Sequence, residues 1–195
     1  MTHVTISPSD QPLYGLDIET DTSIDGLDPT VAAVVAAAVA SDQHTTLFRG
    51  DEATILRALA EHLRNLPLGI ITTWNGTAFD LPFLAERAQR LGIDVGLDPA
   101  FASSDGSLEN HVAATWFGHR HLDGYRLYRA DVGRALPVSC GLKRMARLVG
   151  LDPVEVDTAR IHELDPDLID RYVASDAELA RALLIRRWPS GVSAV

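Results

Sequence analysis

The order of the apolar segments along the chain limits the possible folds more than any other feature. Three short segments near the N-terminus alternate in polarity or hold β-branched residues, and turn residues bound them, which predicts three consecutive strands. Helices with one apolar face then alternate with two further strands. This order is typical of an α/β fold with a mixed five-stranded sheet, a three-stranded antiparallel meander followed by strand–helix units, with flanking helices. The predicted strands are Pro12–Glu19, Val31–Ala40, Thr45–Phe48, Leu68–Trp74 and Tyr125–Val132.

The helices have clearer boundaries than the strands. Asp51 can cap one helix, and Gly92 ends another. The segments Asp21–Pro29 and Ile93–Asn110 lack a period and are expected to be loops. A chain of 195 residues favours one domain, which we expect over residues 11–188, with flexible ends at 1–10 and 189–195. The predicted helices are Asp51–Leu66, Asp80–Leu91, Ser139–Leu148 and Asp167–Trp188.

Composition excludes several classes of protein. The net charge of −10 argues against binding nucleic acid by bulk charge, so such binding needs a local patch or metal ions. A single cysteine, Cys140, excludes an internal disulfide framework. The longest apolar run, Val31–Ala40, is far shorter than the roughly 20 residues that span a bilayer. We therefore expect a cytoplasmic protein with no membrane association.

Two acids in the first predicted strand are the first candidate site residues. Asp17 and Glu19 lie two residues apart, so both side chains point to the same face of the strand. Neighbouring carboxylates in an apolar strand repel each other and are costly to desolvate. A divalent cation removes that conflict, and oxygen ligands suit magnesium, manganese or calcium rather than zinc. From this pair alone, two solvated acids at a strand end remain an equal alternative.

A second candidate lies in Trp74–Pro82, where a predicted strand passes into a helix. Asn75 and Gly76 form a turn, and Asp80 opens the helix. A carboxylate and an aromatic ring at the carboxyl end of a strand lie where open α/β sheets bind ligands. The alternatives are that Asp80 is a helix N-cap and that Asn75 only shapes the turn.

The last predicted helix holds an acid on its apolar face. Asp176 follows Tyr172 by four residues, which makes the two side chains neighbours on one face. A buried acid needs a partner, and no basic residue of this helix shares the face. A metal ion shared with Asp17 and Glu19 would satisfy Asp176; a local hydrogen bond to serine or backbone is the alternative.

Together the three segments resemble a known superfamily. Asp17-Ile18-Glu19-Thr20, the stretch Asn75–Pro82 and Tyr172-x3-Asp176 look like the three motifs of the DEDD 3′–5′ exonucleases of tyrosine type, which have the ribonuclease H-like fold. The stretch Asn75–Pro82 is most similar to the proofreading domains of family B DNA polymerases and their small stand-alone relatives. The histidine type has His-x4-Asp in its third motif. His162 and Asp167 have that spacing, but Pro166 separates them, which favours the tyrosine type.

The resemblance implies an activity and a set of roles. The activity is 3′–5′ hydrolysis of single-stranded nucleic acid, DNA rather than RNA, with release of 5′-mononucleotides. Two Mg²⁺ or Mn²⁺ ions would be held by the four acids, and Tyr172, as a neutral phenol, would orient the attacking water. Thr20, Asn75 and Phe79 would contact the terminal nucleotide. The implied catalytic residues are Asp17, Glu19, Asp80, Tyr172 and Asp176.

Two alternatives to this function stay open. An exoribonuclease fits the same motifs, because discrimination at the 2′-hydroxyl depends on details of the pocket. A catalytically silent nucleic-acid-binding module is the second alternative, although all four acids and the tyrosine are present. We identify no polymerase domain in the chain, so the motifs leave proofreading, repair and nucleotide salvage equally open.

A basic segment runs from Arg120 to Arg147. It holds seven basic and two acidic residues, a local charge of +5, and Tyr125 and Tyr128 lie among them. Basic and aromatic residues together suit single-stranded nucleic acid. A solvated helix face with the aromatic rings in the core is an equal alternative.

Three further residues in or near this segment, His119, His121 and Cys140, suggest a transition-metal site. No fourth ligand is evident, so we favour loop histidines without a metal. Asp131 could be a fifth acid near the site, but we expect it to pair with a nearby arginine.

Overall fold

The computed structural model describes residues 11–99 and 112–191. The sheet has seven strands in the order β3-β2-β1-β4-β7-β6-β5. The strands are β1 (Leu13–Thr20), β2 (Val34–Ala40), β3 (Thr45–Phe48), β4 (Ile70–Thr73), β5 (Leu97–Pro99), β6 (Val112–Trp116) and β7 (His119–Asp123). The helices are α1 (Glu52–Asn65), α2 (Asp80–Leu91), α3 (Gly124–Ala135), α4 (Leu142–Leu148) and α5 (Pro166–Gly191), with a 3-10 helix at Thr158–Glu163.

The α/β class and the three-stranded meander are confirmed. β1 pairs antiparallel with β2, and β2 pairs antiparallel with β3. β4 then pairs parallel with β1 on its other side, and β7 pairs parallel with β4. The carboxyl ends of β1, β4 and β7 therefore lie at the same edge of the sheet.

The predicted count of five strands was wrong. Residues Tyr125–Val132 form part of α3, and the strand beside β4 is β7, which the sequence analysis did not assign. The helix forms because Asp123 caps it, with its carboxylate accepting the Tyr125 N–H. Tyr128 is then buried and donates its hydroxyl to the Leu183 carbonyl, which lies far away in the chain. Strands β5 and β6 extend the sheet beyond β7.

Other boundaries differ by a few residues. Asp51 caps α1 and Gly92 ends α2 in the left-handed conformation, as predicted. Helix α4 begins three residues later than predicted. Helix α5 runs to Gly191, so residues 189–191 are helical rather than part of a tail. The predicted flexible segment 1–10, the last residues 192–195 and most of the predicted loop Ile93–Asn110 lie outside the described residues.

Each face of the sheet is covered by different helices. The larger apolar cluster contains Leu16 and Ile18 of β1 together with the buried faces of α1 and α2. On the opposite face, Val173 and Ala177 of α5 pack on three alanines of β2. Because residues alternate along a strand, Asp17 and Glu19 of β1 face α5. The three alanines are Ala36, Ala38 and Ala40.

Small residues let α5 lie very close to β1. A Cβ atom added at Gly15 would overlap the backbone carbonyl of Ala177, and it would come within 2.9 Å of the Arg181 Cβ. The alanines of β2 extend this low surface beside β1. The turn of α5 that precedes Ala177 carries Asp176, so this contact brings Asp176 onto the acidic face of β1.

No helix in residues 11–99 and 112–191 is long and apolar enough to cross a membrane.

We predict that Gly15→Ala destabilises the fold. The added methyl group meets helix backbone rather than a flexible side chain, so α5 must move away from β1. The expected loss in the free energy of unfolding is about 1–3 kcal/mol, measured by urea denaturation. Gly141→Ala is the control, because its Cβ would meet only the Ser139 Oγ at 3.7 Å. Equal losses in the two variants would contradict the close contact between α5 and β1.

Candidate active site

Three carboxylates from two elements meet between β1 and α5. Carboxylate oxygens of Asp17, Glu19 and Asp176 lie within 4.8 Å of one another. Asp176 is 6% exposed, and Tyr172 lies one turn before it on the same buried face of α5. Oxygen donors at this spacing are the ligand set that a hard divalent cation prefers.

Asp80 is the fourth acid of the predicted set, and its charge acts on the two acids of β1. It is the first residue of α2, one position inside the helix, so it is not the N-cap. Its charge raises the pKa of both Asp17 and Glu19. The absence of a side chain at Gly76 leaves room for the Asp80 carboxylate, because a Cβ atom at Gly76 would come within 3.0 Å of the Asp80 Oδ2.

Burial and mutual repulsion make these acids hard to ionise. Burial, followed by the neighbouring charges of Glu19 and Asp80, raises the pKa of Asp17 well above its usual range. Burial, followed by the charge of Asp80, raises the pKa of Glu19 to about 8, and burial raises the pKa of Asp80 to about 7. When ionised, the cluster therefore has more negative charge than its surroundings compensate, which is the electrostatic condition for binding cations.

Lys143 of α4 is the basic neighbour of the cluster. Its ammonium forms an ion pair with the Asp176 carboxylate. Burial lowers the pKa of Lys143 to about 8, although the charges of Asp17 and Glu19 oppose that shift. In the sequence, Lys143 is recognisable only as one of the seven basic residues between Arg120 and Arg147. Asp176 therefore has a charged partner from another helix, not the local hydrogen bond we considered as the alternative to a metal ion.

Tyr172 lies against the same lysine. The Lys143 Nζ is 4.3 Å from the centroid of the phenol ring, which is a cation–π contact. Burial and the charges of Glu19 and Asp17 raise the pKa of the Tyr172 hydroxyl above its ordinary value. The phenol is therefore neutral at physiological pH. Among the described residues, no side chain or carbonyl bonds to its hydroxyl.

Asp123 organises the loop that precedes Asp80, and the sequence analysis did not identify it. Its buried carboxylate accepts the backbone N–H groups of Asn75 at 3.0 Å and Thr77 at 3.1 Å. The same carboxylate caps α3 by accepting the N–H of Tyr125 at 3.0 Å. One side chain thus joins the turn after β4 to the helix after β7. Asp123 and Asn75 are 48 residues apart in the chain, so no local sequence pattern indicates this contact.

The three predicted substrate contacts lie at the same edge of the sheet. Asn75 is exposed and has a φ of 69°, so it has the turn conformation we expected. Phe79 is half-buried beside the ring of Phe83, 5.3 Å away. Thr20 is buried and donates its hydroxyl to the Gly26 carbonyl at 2.7 Å, which folds the following loop back over β1.

The histidine-type third motif is not formed. His162 lies in the 3-10 helix, where its ring bonds to the Thr22 hydroxyl at 2.8 Å. Asp167 is exposed in the first turn of α5, next to Arg49. Tyr172 and Asp176 are the pair that faces the acids of β1.

His119 and His121 lie in a strand, so the prediction of loop histidines was wrong. Both are fully buried in β7. His119 bonds to the Gly69 N–H and the Leu63 carbonyl, and His121 bonds to the Thr73 hydroxyl. Cys140 belongs to a separate cluster under α3 and α4. Asp131 pairs with Arg187 at 2.5 Å, as expected, and takes no part in the acid cluster.

The sequence matches a known protein family. The family profile "DNA polymerase family B, exonuclease domain" matches residues 20–145, which is more than half of the chain. The chain belongs to this family. The matched range includes Asn75 and Asp80 and ends before α5. The expected resemblance to family B proofreading domains is thereby confirmed.

Catalytic subunits of DNA polymerase epsilon are among its relatives. The chain is 32% identical to the A subunit of Candida glabrata over 142 residues, which is 69% of this chain and 6% of that protein. It is 32% identical to the B subunit of Arabidopsis thaliana over 132 residues, 65% of this chain and 6% of that protein. The chain thus spans about 6% of the length of the curated relatives it matches.

The fold matches a solved family B polymerase. Superposition on the family B DNA polymerase of Pyrobaculum calidifontis gives a TM-score of 0.74 at 23% identity, and it covers 92% of this chain and 25% of that one. The ribonuclease H-like fold class is confirmed by this likeness.

The raised pKa values predict that this chain, kept free of divalent cations by a chelator, becomes less stable as the pH rises. Glu19 has a pKa of about 8 when folded and about 4.5 when unfolded, so the folded chain binds more protons between these values. The free energy of unfolding therefore falls from about pH 5 to about pH 8. Added Mg²⁺ or Mn²⁺ should raise Tm more at the upper end of this range. Thermal denaturation at several pH values measures both effects.

Glu19→Gln tests the cause of this pH dependence. The variant should lose much of the fall in Tm, and Asp131→Asn, which neutralises an exposed acid away from the cluster, should keep it. A Glu19→Gln profile that follows the unmodified chain would contradict the assignment to the acid cluster.

A second prediction concerns Asp123. Asp123→Ala leaves the backbone N–H groups of Asn75, Thr77 and Tyr125 without this acceptor. These bonds are partly buried, and an unsatisfied group costs about 1–3 kcal/mol when fully buried. We expect a loss of about 2–4 kcal/mol in the free energy of unfolding. Asp51→Ala, which removes the exposed cap of α1, should cost clearly less. Equal losses on urea denaturation would show that Asp123 acts as an ordinary cap.

Proposed function

We propose that this chain is a metal-dependent 3′–5′ exonuclease that releases 5′-mononucleotides from single-stranded DNA. The observation that carries the proposal is the meeting of Asp17, Glu19 and Asp176 within 4.8 Å in a chain of the family B exonuclease family. Uncompensated carboxylates repel a phosphodiester, so a site of this composition suits the substrate only when cations are bound.

The four acids are the proposed ligands of two Mg²⁺ or Mn²⁺ ions. Their donor atoms are all oxygen, and the raised pKa values of Asp17, Glu19 and Asp80 reflect charge that a cation would compensate. When bound, the ions would supply a nucleophilic water and stabilise charge on the scissile phosphate. The proposed ligands are Asp17, Glu19, Asp80 and Asp176.

Tyr172 and Lys143 are proposed to orient the reactants. The neutral Tyr172 hydroxyl can donate a hydrogen bond to the attacking water or accept one from it, but it is a poor general base. The Lys143 ammonium forms an ion pair with the Asp176 carboxylate and a cation–π contact with the Tyr172 ring. It thereby limits the rotation of both side chains on α5.

The substrate is proposed to enter at the carboxyl edge of β1 and β4. Asn75 and Phe79 are accessible there and are the proposed contacts of the terminal nucleotide. The Thr20 hydroxyl already donates to the Gly26 carbonyl. Thr20 is therefore proposed to affect substrate binding by holding the loop that contains Gly26. The relatives are DNA polymerase subunits, which supports DNA over RNA as the substrate. A cytoplasmic location stays a prediction.

One experiment separates this function from the alternatives. The chain is incubated with 5′-labelled single-stranded DNA, single-stranded RNA and a duplex with a recessed 3′ end, each with Mg²⁺, Mn²⁺ or chelator. Metal-dependent shortening of the DNA from its 3′ end, with mononucleotide products, supports the proposal. Preferred cleavage of the RNA would favour an exoribonuclease. Binding without cleavage would favour a silent nucleic-acid-binding module.

We predict unequal losses from two substitutions in the site. Asp17→Ala should lower the rate by several orders of magnitude, because it removes a ligand from the cation site. Tyr172→Phe should lower it less, about 10–100-fold, because only the hydrogen bond to the water is lost. Initial rates on single-stranded DNA measure both.

Asp131→Asn is the matched control, since it also removes one negative charge but lies away from the cluster. Near-normal rates in Asp17→Ala would refute the cation site. Equal losses in Asp17→Ala and Tyr172→Phe would mean that the phenol does more than orient water.

A further inference from the structure

The exposed face at the start of α3 lies beside the proposed active site. The Asp123 Oδ1 accepts the N–H groups of both Asn75 and Tyr125, each at 3.0 Å. The two backbones therefore lie close together, and the first turn of α3 borders the turn that carries Asn75. Arg126 and Arg129 follow Tyr125 on this helix, and both side chains are exposed.

We propose that Arg126 and Arg129 bind the phosphates of the single strand that leads into the active site. This inference rests on the proposed function and names the surface that guides its substrate. Residues three apart on a helix are neighbours on its surface, so the two guanidinium groups share one face of α3. Guanidinium groups match the geometry of phosphate oxygens and remain charged at all physiological pH values.

Charge and position together select these two residues from the basic segment. Lys143 pairs with Asp176 and Arg147 pairs with Glu155, while Arg120 bonds to Gln11. Arg134 lies in the last turn of α3 and Arg144 in α4, so neither belongs to the first turns of α3 beside Asn75. Within residues 11–99 and 112–191, neither Arg126 nor Arg129 forms an ion pair. In a chain with a net charge of −10, two adjacent arginines without acidic partners make a local surface that attracts a polyanion.

Arg129 is already oriented for such a contact. Its Nη1 donates to the Tyr125 hydroxyl at 2.9 Å, and its guanidinium carbon lies 5.9 Å from the centroid of the same ring. Tyr125 is itself partly buried and packs on the apolar cluster under α3 that contains Tyr128 and Met145. Holding a long side chain in place before binding reduces the entropy lost when the phosphate arrives.

Nucleic acid fits this surface better than a protein partner does. The surface adjoins the turn where the strand would end, so a chain running from the active site passes over it. The alternation of a positive surface with a partly exposed aromatic ring is also typical of sites for single strands. An acidic protein bound at the same place would obstruct the substrate.

The test compares a long and a short substrate. Arg126→Glu and Arg129→Glu are measured against Arg57→Glu, which reverses an exposed arginine of α1 on the other face of the sheet. The substrates are single-stranded DNA of about 12 nucleotides and thymidine 5′-p-nitrophenyl phosphate, which occupies only the catalytic pocket. The rate of each is measured with Mn²⁺ at several salt concentrations.

We expect both α3 variants to raise KM for the long DNA about 3–10-fold, with kcat and the rate on the short ester unchanged. Each variant should also reduce the salt dependence of KM by about 0.7 in logarithmic slope, the amount for one phosphate contact on a single strand. Tyr125→Phe, which releases the Arg129 guanidinium, should give a smaller rise in KM. Arg57→Glu should leave every value unchanged.

Two results would overturn the inference while leaving the proposed function intact. One is a KM for long DNA in the α3 variants equal to that of Arg57→Glu, as expected if the face binds an acidic protein. The other is an equal loss on both substrates, which would mean that the variants disturb the catalytic pocket. If the unmodified chain cleaves neither substrate, the proposed function fails. In that case the DNA affinity of the same variants is measured by fluorescence anisotropy of labelled DNA. Weaker binding in Arg126→Glu and Arg129→Glu than in Arg57→Glu would support the inference, and equal binding would overturn it.

Discussion

The close contact between α5 and β1 is the constraint on which the site depends. A helix can approach a strand this closely only where side chains are absent or small, and Gly15 with the alanine face of β2 supplies that surface. A bulkier residue at Gly15 would separate Asp176 from Asp17 and Glu19, because the clash falls on the carbonyl of the adjacent Ala177. The packing of small residues thus sets the distance between the carboxylates.

That distance carries an electrostatic cost in the absence of cations. Three carboxylates meet within 4.8 Å, and the pKa values of Asp17 and Glu19 rise because burial and neighbouring negative charges oppose their ionisation. Lys143 offsets part of the repulsion through its ion pair with Asp176. One ammonium cannot balance four ionised acids, so divalent cations are the natural complement of the ionised cluster.

The sequence predicted the elements whose signals are local. The capped helices α1 and α2 and the alternation of β1 follow from neighbouring residues, and so does the shared face of Tyr172 and Asp176. The hairpin of β6 and β7 was missed because His119 and His121 are polar yet buried, and their partners lie about 50 residues away. Helix α3 was taken for a strand because the helix depends on the Asp123 cap and on the distant Leu183 carbonyl. The contact of Lys143 with the site was hidden for the same reason, since it depends on how α4 packs against α5.

The parts of the site that lie far apart in sequence are joined by one edge of the sheet. The parallel strands β1, β4 and β7 end there, which places Glu19, the turn at Asn75 and Asp123 side by side. Asp123 accepts hydrogen bonds from both the Asn75 turn and the first residues of α3, so a shift of either element would break bonds to the other. The position of Asp80, which follows the Asn75 turn, is therefore coupled to the positions of Arg126 and Arg129, which follow the Asp123 cap. The single buried carboxylate of Asp123 thereby ties the proposed catalytic pocket to the surface over which the substrate would pass.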